Sequence, residues 1–301
     1  MSLFKKSRTV ALCLVLMTSS YTMASSLPLS PEKIQQPYPN VSITTLHSAK
    51  TLISEFDRHY YQLNKVATSN SLPAFFVENL PDNLNSLPVE QKTSGFIRLL
   101  LPTISDVNTH ILEVRDALIA IAKKPKHDWS HSEQVWVDNL IKEYNVKSGE
   151  IQDLLMHVDI IPVGMVLAQG IDESGWGTSH FAIEGNNLYG EHLPSKGGKY
   201  LTTPGGHVKV AAFDNLFAGT ASYMHNLNTT EAYKELWHLR HKLRQQNNLT
   251  GHELVQALSH YSTRGQAYVD NLRALIKHHQ LDRFDHVHLD DANTVRIRFT
   301  K

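Results

Sequence analysis

The chain has 301 residues but only one cysteine, Cys13. No internal disulfide can form. Because Cys13 lies in an apolar run near the N-terminus, Val10 to Met17, thiol catalysis is excluded from the rest of the chain. There is no excess of charge of either sign: 29 Lys and Arg balance 29 Asp and Glu. Electrostatic capture of nucleic acid needs a basic surplus, so no nucleic-acid partner is expected. Val10 to Met17 falls well short of the ~20 apolar residues that cross a bilayer, so no membrane span is expected. A glycine-rich nucleotide loop is missing, as are internal repeats and long low-complexity tracts. His252-Glu253 opens like a zinc-protease helix, but Gln256 stands where that motif needs its second histidine. His238 and His241 lack an accompanying carboxylate. No metal and no cofactor are expected, and the 18 histidines are read as scattered surface and capping residues.

What is present begins with a targeting segment. Lys5, Lys6 and Arg8 precede the apolar run, and small residues lead to Ala24. This pattern predicts a signal peptide over 1–24, cleaved after Ala24, and therefore export to the periplasm or cell envelope. Leu12 stands where a lipid-attachment site needs a small residue before its cysteine, so Cys13 is not expected to carry lipid. The mature chain then contains no cysteine, and its stability must come from core burial, which its length permits.

Residues 25–90 read as a linker followed by a helical N-terminal extension. Ser25 to Asn40 is rich in Pro and Ser. Leu46, Leu52, Ile53, Phe56, Tyr60 and Leu63 have helical spacing, whereas Ser71 to Pro88, with three prolines, reads as irregular. Residues 91–301 form the expected catalytic domain. One helix is expected to end at Pro102 and the next to run from Ile104 to Ala122. Ser132-Glu133 is expected to cap another helix. Val163, Val166, Leu167, Gly170 and Ile171 mark a helix that starts beside Pro162 and stops at Gly175, with Gly170 admitting another backbone. Two β-favouring runs around Pro204-Gly205-Gly206 predict a hairpin. Four further helices follow, over Leu216 to Leu227, Glu231 to Gln245, Gly251 to Ser259 and Gln266 to His279. Val295 to Phe299 alternates like a short edge strand.

The chemistry centres on Glu173-Ser174-Gly175-Trp176-Gly177. Glycosidic cleavage needs a carboxylic acid that is still protonated near neutral pH. A glutamate at the end of an apolar helix is shielded from behind, which raises its pKa, and Gly175 and Gly177 let a ligand come close. The plain alternative is a helix-ending glutamate with a glycine stop. Asn186 and Asn187 offer donors and acceptors for sugar hydroxyl and acetamido groups, although such a pair also makes turns. Trp176 and Tyr189 can stack on pyranose rings, and packing in the core is an equal alternative for Trp176.

Taken together, Ala168-Gln169, Glu173 to Gly177, Phe181-Ala182 and Asn186-Asn187-Leu188-Tyr189-Gly190 resemble the bacterial peptidoglycan glucosaminidases, family 73 of the glycoside hydrolases. Val210 to Asp214, Ser222 to Asn228, Ala232-Tyr233, Tyr261-Ser262-Thr263 and Tyr268 continue the likeness, which is nearest to the Bax-like branch. With Phe96, Leu100 to Pro102, Asn108 and Arg115, it extends over Gln91 to Gln280. The resemblance implies a mainly α, lysozyme-like helical domain with a small β-hairpin lobe. It implies cleavage after N-acetylglucosamine in the glycan strands of peptidoglycan. It places Glu173 at the general-acid position, Asn186, Asn187 and Tyr189 beside the cleft, and Tyr261 near the reacting sugar.

The chain departs from the family in its hairpin, which lacks the acidic residue that many members carry. Glu184, Glu191 and Asp214 are candidates for the second carboxylate, and Glu191 is preferred. Asp214 looks more like a helix N-cap, and Asp172 points away from Glu173. The substrate's own N-acetyl group is a further option for the nucleophile. The expected function is therefore an exported endo-β-N-acetylglucosaminidase. A lytic transglycosylase and a non-catalytic glycan-binding envelope protein are the alternatives.

Overall fold

The computed structural model describes residues 26–194 and 197–300. The signal segment and its cleavage site lie outside the described residues. In chain order the elements are β1 (Ile43–Leu46), α1 (Ala49–Arg58), α2 (Leu63–Ser69), β2 (Ser71–Val77), α3 (Val89–Ala122), α4 (His131–Glu143), α5 (Ile151–His157), α6 (Val163–Ser174) and α7 (His180–Gly185). They continue with β3 (Tyr200–Thr202), β4 (Lys209–Ala211), α8 (Leu216–Thr229), α9 (Lys234–Gln245), α10 (Gly251–Leu254), α11 (Gln266–His279) and β5 (His288–Phe299). The fold is mainly helical with a small hairpin lobe. No described helix is long and apolar enough to cross a membrane.

The 34-residue helix α3 is the axis of the molecule. It does not stop at Pro102. Proline removes one backbone hydrogen bond and costs roughly 3 kcal/mol in a helix interior. Here the surrounding turns, Phe96 through Ser105, are buried on every side. One side of α3 packs on β2, and others meet α5, α6 and α8. Burial of that whole turn outweighs the lost bond, which the apolar periodicity alone does not reveal. The cap of α4 is likewise displaced from its expected place. Ser130, not Ser132, accepts from Glu133 N, and the Glu133 carboxylate returns to Ser130 N, closing a capping box.

The two ends of the described chain share one parallel sheet, ordered β1-β5-β2. β5 is therefore a central strand of 12 residues, not a short edge strand. The stretch from Ser71, expected to be irregular, supplies β2. Pro73 is accommodated because β2 is an edge strand and its register shifts between Pro73 and Phe75. Leu72, Ala74, Phe75, Phe76 and Val77 are buried beneath α3 and α2. Both misassignments have one cause: parallel strands more than 200 residues apart leave no local turn signal. The N-terminal extension is thus helical in α1 and α2, with two strands added.

The hairpin forms where it was expected. β3 and β4 pair antiparallel, Tyr200 opposite Ala211 and Thr202 opposite Lys209. Gly205 and Gly206 take positive φ at its turn.

Candidate active site

Helix α6 carries Glu173 to the edge of a cleft of about 980 Å³. Ten of its twelve residues are buried, so the helix is fixed from behind. Gly175 caps it in the left-handed conformation (φ 58°) and donates to Ile171 O. Ser174 then turns back, with its hydroxyl donating to Gly170 O and accepting from Gly177 N at 2.8 Å. At Gly170 a Cβ would lie a tight 3.2 Å from Leu100 Cδ2 and an ordinary 3.5 Å from Tyr189 Cε1. Its close neighbours are side chains, not the backbone expected from the sequence.

Around Glu173 the cleft is lined by Tyr189, Gly190, Glu191, Ser222, Tyr233 and Tyr261, among others. Burial raises the Glu173 pKa, and the negative charge of Asp172 adds to this, while the Tyr268 hydroxyl and Arg264 act in the opposite sense. Asp172 itself is turned away, bonded to Arg264 and accepting from Asn271 Nδ2 at 2.7 Å.

Glu191 lines the same cleft. Desolvation pushes its pKa up to about 8, opposed by the Ser222 hydroxyl, which donates to Oε2 at 3.0 Å. Its other oxygen, Oε1, is buried without a hydrogen-bond partner. Gly190 joins the two carboxyls: its positive φ (71°) turns the chain so that a Cβ there would lie 3.7 Å from Glu173 Oε2. Among the other acidic candidates, Asp214 is exposed and pairs with Lys199. It does not cap α8. Asn215 does, accepting from Ala218 N at 2.9 Å, since the extended cap conformation falls one residue later. Glu184 lies in a separate cavity with Asn186 and Asp214.

The aromatic and amide residues separate into two groups. Tyr261 lines the cleft and donates to Tyr189 O at 3.0 Å. The Tyr189 ring is buried, stacked on Tyr223 at 3.9 Å, so this residue presents backbone to the cleft. Asn186 and Asn187 are buried inside the lobe. Asn186 Nδ2 donates to Phe213 O at 2.9 Å. Asn187 Nδ2 donates to Glu191 O and Ala211 O, and its Oδ1 accepts from Glu191 N at 3.0 Å. Asn187 therefore ties Glu191 to strand β4. Trp176 packs edge-on against Phe96 and His279 (centroids 6.0 and 4.9 Å) and is not on the cleft wall.

Sequence reasoning did not anticipate the far end of the cleft. Glu143 and His225 line it, and Glu32 reaches them from the N-terminal arm. Among the described residues, these three form the group whose ligand atoms lie within 4.8 Å of one another, as a metal site would require. Both Glu143 oxygens are already engaged, by the Ser30 hydroxyl and the Lys33 ammonium. No local pattern marks residues brought together from positions 32, 143 and 225.

A half-buried acid at a helix end, facing a polar cleft with a second carboxyl on its wall, is the equipment of a glycoside hydrolase. The family comparison gives the same class. The model described as mannosyl-glycoprotein endo-beta-N-acetylglucosaminidase matches residues 149–281. Protein bax of Escherichia coli (strain K12) is 32% identical over 209 residues, covering 67% of this chain and 75% of that protein. The chain belongs to this glucosaminidase family of glycoside hydrolases. The catalytic domain of the autolysin Auto from Listeria monocytogenes shares 18% identity. That match covers 56% of this chain and 94% of that one, with a TM-score of 0.32.

Proposed function

We propose that this protein is an exported endo-β-N-acetylglucosaminidase that cuts the glycan strands of peptidoglycan, with Glu173 as general acid. The observation that carries this is the Glu173 carboxyl itself. It is shielded by α6 and held toward its protonated form, yet opens on a polar cleft of about 980 Å³. The family membership supports the glucosaminidase class and a peptidoglycan substrate. The basic and apolar pattern over 1–24 supports export.

In this scheme Glu173 protonates the departing glycosidic oxygen. Tyr261 borders the reacting sugar. Glu191 is the second group, with its Oε1 left without a hydrogen-bond partner beside the wall of the same cleft. A pKa near 8 makes it a poor base until it loses its proton. That favours a role in which the neutral carboxyl orients the acetamido group. Asn186 and Asn187 act by holding the lobe, not by touching the glycan.

Digestion of purified sacculi, with product masses, tests the proposal. The mature protein is expected to release fragments with reducing N-acetylglucosamine ends, while the Glu173→Gln protein folds and releases essentially none. Anhydromuramic ends would make it a transglycosylase instead. Binding without any released fragment would leave only a glycan-binding protein.

A further inference from the structure

Behind the Glu173 carboxyl runs a line of polar side chains that do not reach the cleft. Gln169, Tyr223 and Tyr268 each have no measurable exposure. Tyr223 donates its hydroxyl proton to Gln169 Oε1. Gln169 Nε2 donates to the Tyr268 hydroxyl at 3.0 Å. The Tyr268 hydroxyl acts on Glu173 to lower its pKa, in the sense that a donor to that carboxyl would. Gln169 and Glu173 are four residues apart on α6 and so lie on the same face. Tyr223 comes from α8 and Tyr268 from α11, and each ring is held by stacking: Tyr189 on Tyr223 at 3.9 Å, Tyr261 on Tyr268 at 5.6 Å and 4°.

The line has a direction. A tyrosine hydroxyl carries a single proton, while a primary amide has an oxygen that only accepts and a nitrogen that only donates. The Gln169 oxygen is used by Tyr223, so its NH₂ group faces Tyr268. Tyr268 must accept there, and its one proton is left for Glu173. A carboxyl oxygen that accepts this bond is not the one that carries the acid's proton. The proton therefore sits on the other oxygen. With the amide reversed, Tyr268 would spend its proton on Gln169 and offer Glu173 only a lone pair.

We infer that Gln169 is a positioning residue for the general acid: it fixes the direction of the Tyr223–Gln169–Tyr268 line, so that Tyr268 donates to one oxygen of Glu173 and leaves the proton on the other for the departing sugar. This rests on the assignment of Glu173 as the acid. The same line stabilises the carboxylate that remains after proton transfer, because donation from Tyr268 favours the charged form. The other charged or titratable groups facing Glu173 are Asp172 on its own helix, Arg264 ahead of α11, and Tyr261 and Glu191 on the cleft wall.

The pH profile of kcat is the discriminating measurement, because a merely structural role would not move it. The basic limb reports loss of the acid's proton. Donation from Tyr268 holds that limb at lower pH, so its removal should raise it. Tyr268→Phe deletes one oxygen and keeps the ring stack. It is expected to move the limb up by roughly one to two pH units, the effect of one hydrogen bond to a charged group. The maximal kcat should fall about tenfold or more, with KM nearly unchanged. Gln169→Met is expected to move the limb in the same direction by less, and to add nothing in the Tyr268→Phe background. Thermal unfolding checks that each protein is folded, and the Tyr268→Phe limb alone decides the matter if Gln169→Met does not fold. An unmoved limb in Tyr268→Phe, or equal effects of Gln169→Met in both backgrounds, would overturn the inference. If Glu173→Gln were active, the assignment of the acid would fail instead. An inactive Glu173→Gln protein with an unmoved limb would sink only the role of Gln169.

Discussion

Gly219, in the middle of α8, is the glycine on which the site geometry most visibly depends. A Cβ built there would lie 2.4 Å from the carbonyl oxygen of Asn186 and 3.2 Å from Phe213 Cδ2. The nearest atom is backbone and cannot rotate away. Restoring ordinary contact requires about 1 Å of movement, either of α8 or of the Asn186–Asn187 turn. Such overpacking costs about 1–3 kcal/mol. Against that stands helix propensity, since alanine in a helix interior is about 1 kcal/mol better than glycine. The sign of the effect therefore decides between the two terms. We expect Gly219→Ala to lower Tm by several degrees, at about 2–4 °C per kcal/mol for a chain of this size. The loss of activity should exceed the loss of folded protein. Asn187 holds Glu191 through its backbone, and an error of about 1 Å at a catalytic group can cost roughly a hundredfold in rate. The assay is calorimetric or dichroic melting beside fragment release from sacculi at a temperature where both proteins are folded. A Tm that rises or stays level, with full activity, would refute the close approach of α8 to the lobe.

Four further outcomes are expected. The rate of glycan release should fall as pH rises through the elevated pKa of Glu173, because only the protonated acid donates. A pH series on sacculi checks this, and a rate that climbs steadily into the alkaline range would contradict it. Ser222→Ala removes the one hydroxyl bonded to Glu191 and should reduce kcat by roughly tenfold, with little change in Tm. Arg240 is fully buried and donates to the backbone carbonyls of Met156, His157, Asp159 and Ile160 and to Asn228. Arg240→Met strands these acceptors and should cost at least about 3 kcal/mol in denaturant unfolding. Ile297→Ala empties a buried position of β5 and should cost about 2–5 kcal/mol. Its activity per folded molecule should be unchanged, because no residue of that sheet lines the cleft.

Part of the candidate site was legible before any coordinates. Glu173 could be singled out because an apolar helix stripe, a glycine stop and an acidic residue between them are all local features, and α6 ends at Gly175 as that pattern requires. The hairpin was legible for the same reason, since its turn and both strands are contiguous. Roles that depend on where a side chain points were not. Trp176 and Tyr189 carry the ring chemistry a sugar site uses, yet one packs between α3 and α11 and the other is buried in a stack. A sequence gives the capacity of an aromatic ring to stack but not its partner.

The sequence by itself determined which segments are amphipathic, where α6 must stop, and which carboxyl sits at its end. These follow from spacing and from backbone preferences that act over a few residues. Only the tertiary structure decided that α3 runs through Pro102, that β5 is flanked by β1 and β2, and that Glu191 shares a cleft with Glu173. Each of these outcomes depends on burial supplied by partners far away in the chain. Burial outweighs local propensity, and it is also what raises the two carboxyl pKa values.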